Sequence, residues 1–316
     1  MENTNCKICD NKGNNNIIKV REMMFGFRDE FNYLECSKCG CIQLLDIPDD
    51  LSKYYPDNYL SFDEHNEHFL AKRTLKRRIK KLSLDYQLGH FSPIGKLLSH
   101  LIKDPVPLMS MDLLNLNYGS KILDIGSGTG ILLLVMSSLG FTHLTGADPF
   151  IKSTIHYKCG VTIWKKHMED MTGTYDFIML HHAFEHMDQP LEKLQAIYKL
   201  LNPDSYLLIR IPVASSFASR KYKADWVQLD APRHFFLHTI DSIRILSLKA
   251  GFILKEVQFD SDEFQFTGSE RYLRDIPLKP EKNIFDSKTI RAFSKQAQKL
   301  NAINDGDQAR FYLYKE

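Results

Sequence analysis

The chain has 316 residues, 43% of them hydrophobic and 25% charged, with a formal net charge of +2. That suffices for one or two domains with a proper core, and it excludes a polyanion binder acting by bulk charge. No apolar run approaches the length of a membrane-spanning helix and no signal-peptide pattern opens the sequence, so a soluble cytoplasmic protein is expected.

Five of the six cysteines fall within the first 41 residues, unlike a disulfide framework spread through a chain. Cys6-Lys-Ile-Cys9 and Cys36-Ser-Lys-Cys39 are two C-x-x-C knuckles with 26 residues between them. Each knuckle puts two thiolates on one side of a turn, and two knuckles complete a closed tetrahedral site for a structural Zn2+. Cys6, Cys9, Cys36 and Cys39 are the expected ligands, Cys41 is a spare thiol, and residues 20–34 predict a β-hairpin. Next come Cys39-Gly-Cys-Ile-Gln-Leu-Leu-Asp-Ile-Pro48 and Tyr54-Tyr-Pro-Asp-Asn-Tyr59. This stretch resembles a zinc-module signature of methyltransferases from bacterial sugar and surface-polysaccharide biosynthesis. Its tyrosines suit packing against a catalytic domain, with an acceptor-lining edge as the alternative.

Seven basic residues and no acid lie between Lys72 and Lys81. With Phe69, Leu75, Ile79 and Leu82 near helical spacing, they predict a basic amphipathic helix over residues 69–84. Its basic face reads as a solvated surface, a platform for an anionic acceptor, or a contact for RNA or a membrane. Residues 93–116 predict one or two further helices, broken at Pro105 and Pro107.

Lys121-Ile-Leu-Asp-Ile-Gly-Ser-Gly-Thr-Gly130 reads as a buried parallel strand, a tight turn and a helix start. The dinucleotide fingerprint needs its third glycine where this chain has Ile131. The pattern instead resembles the first motif of class I S-adenosylmethionine-dependent methyltransferases. That resemblance implies a Rossmann-like α/β sheet of seven strands, with Asp124, Gly126, Ser127, Gly128, Thr129 and Gly130 around the cofactor. A second strand over residues 142–147 ends at Asp148, placed to accept bonds from both ribose hydroxyls; a helix N-cap is the alternative. After a third strand near 161–165, His167-Met-Glu-Asp170 matches the family's adenine-holding turn, implicating Met168 and Glu169. A fourth strand over residues 175–180 delivers His181-His-Ala-Phe-Glu-His186, which resembles the family's fourth motif. His181 and His182 fall beside the ligand crevice, His181 on the cofactor and His182 as a base beside His234. In one quinone-related branch the acid equivalent to Glu185 helps bind a divalent metal, but the sequence does not place the further ligands this needs.

A fifth strand over residues 206–211 precedes the block from Trp226 to His238, which also resembles the polysaccharide-cluster enzymes. Trp226 suits a sugar face, Arg233 an anion, His234 a general base and His238 an acceptor contact. A sixth strand over residues 253–259 and an antiparallel last strand over 310–314 enclose an insertion at 260–308. It includes a helix near residues 286–302 and the weaker acceptor candidates Gln265, Ser269, Glu270 and Tyr272. The organisation expected is a zinc module at 1–50, a helical bridge at 51–116 and a methyltransferase domain at 117–316. The expected activity is methyl transfer to a nucleotide- or polysaccharide-linked sugar, an anionic small-molecule or glycan acceptor. RNA methylation is the enzymatic rival, disfavoured by modest charge and by a basic run without interleaved aromatics. A degenerate methyltransferase acting as a binding protein is disfavoured by the intact glycine turn.

Overall fold

The computed structural model describes residues 5–56, 75–280 and 284–316. Tyr59 and the start of the basic stretch, residues 69–74, lie outside the described residues.

The N-terminal strands β1 (Asn16–Arg21), β2 (Glu30–Glu35) and β3 (Ile42–Leu44) form an antiparallel meander. Its first hairpin is the one expected between the knuckles, with Asn16 opposite Glu35. Two helices follow, α1 (Leu75–Gln87) and α2 (Pro93–Leu101). The second starts where the Ser92 hydroxyl accepts the Gly95 N–H and Pro93 takes the first turn.

The main sheet is laid down by β4 (Lys121–Ile125), α3 (Ile131–Leu139), β5 (His143–Ala147), β6 (Ile155–His156), β7 (Thr162–Trp164), β8 (Tyr175–His181), α4 (Pro190–Leu200) and β9 (Leu201–Pro212). The rest of the chain adds α5 (Phe217–Tyr222), β10 (Phe236–Leu237), α6 (Ile240–Ala250), β11 (Ile253–Phe259), α7 (Phe264–Leu273), α8 (Ser287–Ala302) and β12 (Gln308–Lys315). Strand order is β11-β12-β9-β8-β4-β5-β7-β6. Five strands, β9-β8-β4-β5-β7, are mutually parallel, and β12 is antiparallel to both neighbours. These are the seven expected strands, and β6 is a two-residue addition beside β7. Central strands need apolar side chains on both faces, and Ile122, Leu123 and Ile125 of β4 are all buried. The chain builds outward from β4 through β5 to β7 and returns to place β8 on its other side. That switch point opens a crevice at the carboxyl ends of β4 and β8.

β9 begins earlier than expected. Leu201 already pairs with Tyr175, and the register slips around Pro203 before Tyr206 resumes pairing with Phe177. A proline lacks the N–H for a continuous ladder.

The two sheets are not separate bodies. Strand β10 pairs antiparallel with β3, Leu237 opposite Ile42, so the small sheet takes its fourth strand from beyond β9. Cys6, Tyr33 and Leu44 belong to the same apolar cluster as Leu123 and Ile209.

Candidate functional site

The turn after β4 explains its own glycines. Gly126, Gly128 and Gly130 have φ of +73°, +53° and +82°, a region side chains rarely adopt. A Cβ at Gly126 would sit 2.5 Å from the Ala183 Cβ, and one at Gly130 would sit 2.4 Å from the Ile163 Cδ1. Asp148 leaves β5 beside this turn. Its Oδ2 accepts the Gly128 N–H and its Oδ1 the Phe150 N–H, both at 2.9 Å. Each oxygen keeps capacity for one more donor, and Asp148 lines the cavity. Asp124 lies buried beneath, its carboxyl pushed well up by burial and by the Asp148 charge. Ser127, Gly128, Thr129 and Gly130 shape the turn, while Gly126 is the member of this group that lines the cavity. The Ser127 hydroxyl is buried against Gly146 without a partner among the described residues, and the Thr129 carbonyl accepts the Tyr157 hydroxyl at 2.7 Å. Met168 and Glu169 line the same cavity from the short turn after β7, where Lys193 bonds Glu169.

This cavity, about 1140 Å³, runs from the glycine turn past the end of β8 to Ser261 and Asp307. Tyr55 and Phe150 both line it, their rings stacked 6.3 Å apart and 7° from parallel. The tyrosine motif thus divides. Tyr55 is at the cavity, while Tyr54 is buried with its hydroxyl donated to Asp29.

The histidines at the end of β8 have different surroundings. His181 lines the cavity with both ring nitrogens buried and unpartnered among the described residues. Burial holds its pKa near 3, so the ring is neutral. His182 takes a left-handed backbone, φ +50°, a strained state typical of functional sites. Arg210 can only donate, so its 2.7 Å contact gives His182 Nε2 as acceptor, and Nδ1–H then faces Glu185 Oε1 at 3.2 Å. With both nitrogens engaged, His182 has no lone pair for an acceptor proton.

His234 does have one. Its Nδ1–H is donated to the Gln228 carbonyl at 2.7 Å, leaving Nε2 unprotonated at the cavity wall. Burial, reinforced by neighbouring His186, lowers its pKa to about 4 and keeps the ring neutral. His186 is fixed in the same tautomer by the Arg233 carbonyl at 2.8 Å and packs edge-on to His234, centroids 4.6 Å apart. Glu185 lies fully buried with one oxygen unpartnered among the described residues. Burial opposes its ionisation, but the His182 hydrogen bond together with the charge interactions of His182, His186 and His234 outweighs it and holds the carboxyl at about 2. Ligand atoms of Glu185, His186 and His234 all fall within 4.8 Å of one another. Imidazoles anchored through Nδ1–H to carbonyls, beside a free carboxylate oxygen, fit a divalent cation.

Three expected acceptor residues are placed elsewhere. Trp226 is fully buried and donates its indole N–H to Asp307 at 3.0 Å, so it offers no face to a sugar. Arg233 is also fully buried, its guanidinium taken up by Asp230, Glu22 and the Tyr54 carbonyl. His238 is stacked between Phe184 and Phe236 in the core. The insertion does reach the cavity, through Ser261, Phe264 and Leu278. Gln265, Ser269 and Tyr272 point into the core instead, Ser269 accepting the Val227 N–H, and Glu270 accepts the Tyr222 hydroxyl. Sequence reasoning missed Arg210 and Asp307. Asp307 lines the cavity almost wholly buried, and burial pushes its carboxyl up to about 7. In the sequence it sits in an Asn-Asp-Gly-Asp run that reads as a turn.

The knuckle cysteines converge as expected. Cys6 and Cys39 sulfurs are 3.6 Å apart, Cys9 and Cys36 sulfurs 3.5 Å, and all four lie within 4.8 Å of one another. A tetrahedron with Zn–S bonds of about 2.3 Å needs sulfurs about 3.8 Å apart, so the set fits zinc. Backbone N–H groups of Lys38 and Cys39 point at the Cys36 sulfur. Cys41 stands outside, 4.0 Å from His238 Nδ1.

Comparison with known proteins bears on this arrangement. A family described as "Methyltransferase domain" matches residues 94–257. The chain is similar to the mitochondrial ubiquinone biosynthesis O-methyltransferase of Saccharomyces cerevisiae, 30% identical over 105 residues, or 28% of this chain and 32% of that protein. It is also similar to the ubiquinone biosynthesis O-methyltransferase of Pectobacterium atrosepticum, 32% identical over 100 residues, covering 28% and 42%. The chain spans half or less of such curated relatives. A crystal structure of a SAM-dependent methyltransferase from Archaeoglobus fulgidus is 18% identical, with TM-score 0.42 over 70% of this chain and 94% of that one. The family match alone covers more than half of the chain, taking in the glycine turn, Asp148 and the segment from His181 to His186. The chain therefore belongs to this methyltransferase family, whose methyl donor is S-adenosylmethionine.

Proposed function

We propose that the enzyme methylates a hydroxyl of a small, polar, sugar-type acceptor, and that His234 takes the proton. The observation behind this reading is His234 Nε2, a neutral, unprotonated nitrogen at the wall of the large cavity. The donor would lie at the Gly126–Asp148–Met168 end with its ribose on Asp148. S-adenosylmethionine supplies an electrophilic methyl on a sulfonium. As the acceptor oxygen attacks in line, the carbon–sulfur bond breaks, the sulfur keeps the electron pair, and the hydroxyl proton passes to His234 Nε2. Such catalysis is chiefly positioning with proton removal. His182, held by Arg210 and Glu185, would orient the acceptor end and not act as base. The four-cysteine zinc would hold the small sheet together. The sugar class is supported by the zinc-module signature and by the polar side chains Gln228, Ser261 and Asp307 at the cavity wall.

The test is transfer of labelled methyl from S-adenosylmethionine into a desalted extract, divided into small-molecule and RNA pools. Label in nucleotide-sugar or glycan fractions is expected. Ribonuclease-sensitive label would discard the sugar reading.

A second reading is favoured by the Glu185–His186–His234 group together with the quinone-pathway names of the relatives. In it these three side chains hold a divalent cation that stabilises charge on the oxygen of a reduced quinone or catechol. His234 cannot serve as both base and ligand. Turnover that requires added divalent cation, with the four-thiolate zinc retained by metal analysis, would select this second reading.

A further inference from the structure

Helix α2 presents an apolar face to solvent. At about 100° per residue, Ile94, Leu97, Leu98 and Leu101 occupy an arc of about 100°. Ile94 is 63% exposed, Leu97 66% and Leu101 74%, and Phe91 just before the helix is 82% exposed. The one buried residue of α2 is Gly95, where a Cβ would come 2.8 Å from the Leu82 carbonyl of α1. The helix is thus pressed onto α1 by its glycine side while its leucines face outward. Apolar groups spaced this way normally cover a core. On α1, Leu82 and Tyr86 border the Gly95 contact, and Arg78, one turn before Leu82, is exposed.

The same stretch carries unusual charge. Residues 75–103 hold seven Lys or Arg and one acid, leaving 34 basic and 38 acidic residues for the rest of the chain. Lys76, Arg78, Lys96 and Lys103 are exposed. The chain outside these two helices is thus net negative, and the helices carry exposed basic side chains together with the exposed leucines.

From this we infer that α1 and α2 form a docking face for an anionic membrane surface, lying on the bilayer without crossing it. Among the described residues no helix is long and apolar enough to cross. The choice of occupant follows from the two properties together. RNA would meet the charge and leave Ile94, Leu97 and Leu101 in water. A second copy would cover the leucines but bring two strongly cationic surfaces together. An anionic bilayer accepts the leucines into its headgroup boundary and the basic side chains against its phosphates. Enzyme held there would meet acceptors that are themselves lipid-attached.

The test is sedimentation of the full-length, zinc-loaded protein with phosphatidylcholine vesicles, with and without phosphatidylglycerol, and at rising salt. Binding at least about tenfold tighter to the anionic vesicles is expected, weakening as salt screens the charges. The double variant Leu97→Glu/Leu101→Glu should lose that binding and keep its affinity for S-adenosylhomocysteine, which shows that it is folded. Indifference to vesicle charge, no binding, or undiminished binding by the folded variant would overturn the inference. So would a dimer in sedimentation velocity that the variant dissolves, or salt-sensitive RNA binding that both proteins share.

Discussion

Asp307 and His234 lie in one cavity, and burial shifts their titration in opposite directions. Burial lifts Asp307 to about 7, so between about pH 4 and pH 7 the folded protein holds a proton there that the unfolded chain has released. Stability from this site is therefore lost as pH rises through that window. Asp307→Asn keeps an acceptor for the Trp226 N–H and removes the titration. The variant should gain stability over wild type as pH rises, by up to about 4 kcal/mol at pH 8, with the gain vanishing near pH 4. Denaturant melts at several pH values measure it, and a pH-independent difference would count against the buried-carboxyl account. Asp148 permits a simpler test. Asp148→Ala should raise the dissociation constant for S-adenosylhomocysteine at least about tenfold, by calorimetry, because two charge-assisted bonds are lost. The place of Asp148 at the cavity was legible because it follows a strand, which the alternation of strand and helix patterns in the sequence reveals. Trp226 and Arg233 were misread because residue type alone does not separate a ligand contact from a satisfied core group. Arg233 could be resolved only by seeing Glu22 and Asp230 around it.

The segment carrying His234 is tied to the N-terminal sheet as well as to its own neighbours in sequence. Tyr33 on β2 donates its buried hydroxyl to the His234 carbonyl at 3.0 Å. Arg233 reaches Glu22 on the hairpin, and the Thr239 hydroxyl reaches the Cys39 carbonyl at 2.6 Å. Between them β10 adds to β3. The four-cysteine meander is thus a brace for the proposed base. Tyr33→Phe preserves the shape and leaves the His234 carbonyl unsatisfied, which costs about 1–3 kcal/mol if nothing replaces the bond. Methyl transfer should fall about tenfold while affinity for S-adenosylhomocysteine stays level, since that end of the cavity does not touch Tyr33. An equal loss in both would mean general damage and not a brace. Strands β4 and β8 could be read from the sequence because each is a near-continuous apolar run, as a strand buried on both faces requires. Neither β6 nor β10 could, since each has two residues and exists only through its partner strand.

At the scale of the molecule, the question is whether the cysteine module and the methyltransferase sheet unfold separately. Tyr33, Leu44, Leu123 and Ile209 share one apolar cluster, and Lys249 on α6 bonds both the Ile8 carbonyl and Asp10 beside the first knuckle. Removing residues 5–44 would uncover Phe236 and Leu237, both now buried, and strip β10 of its pairing. The two regions should therefore melt in one cooperative transition. Zinc bound by four thiolates contributes folding free energy directly, and in a shared core that contribution belongs to the whole chain. A chelator strong enough to take the metal should move the entire transition down in temperature, measured together by far-ultraviolet circular dichroism and by the buried Trp226 fluorescence. Trp226 lies in the large-sheet half, bonded to Asp307, so it reports on a region remote in sequence from the cysteines. If chelation split the melt in two and left the Trp226 signal in place, the module would be an appendage and the brace argument for His234 would fall with it.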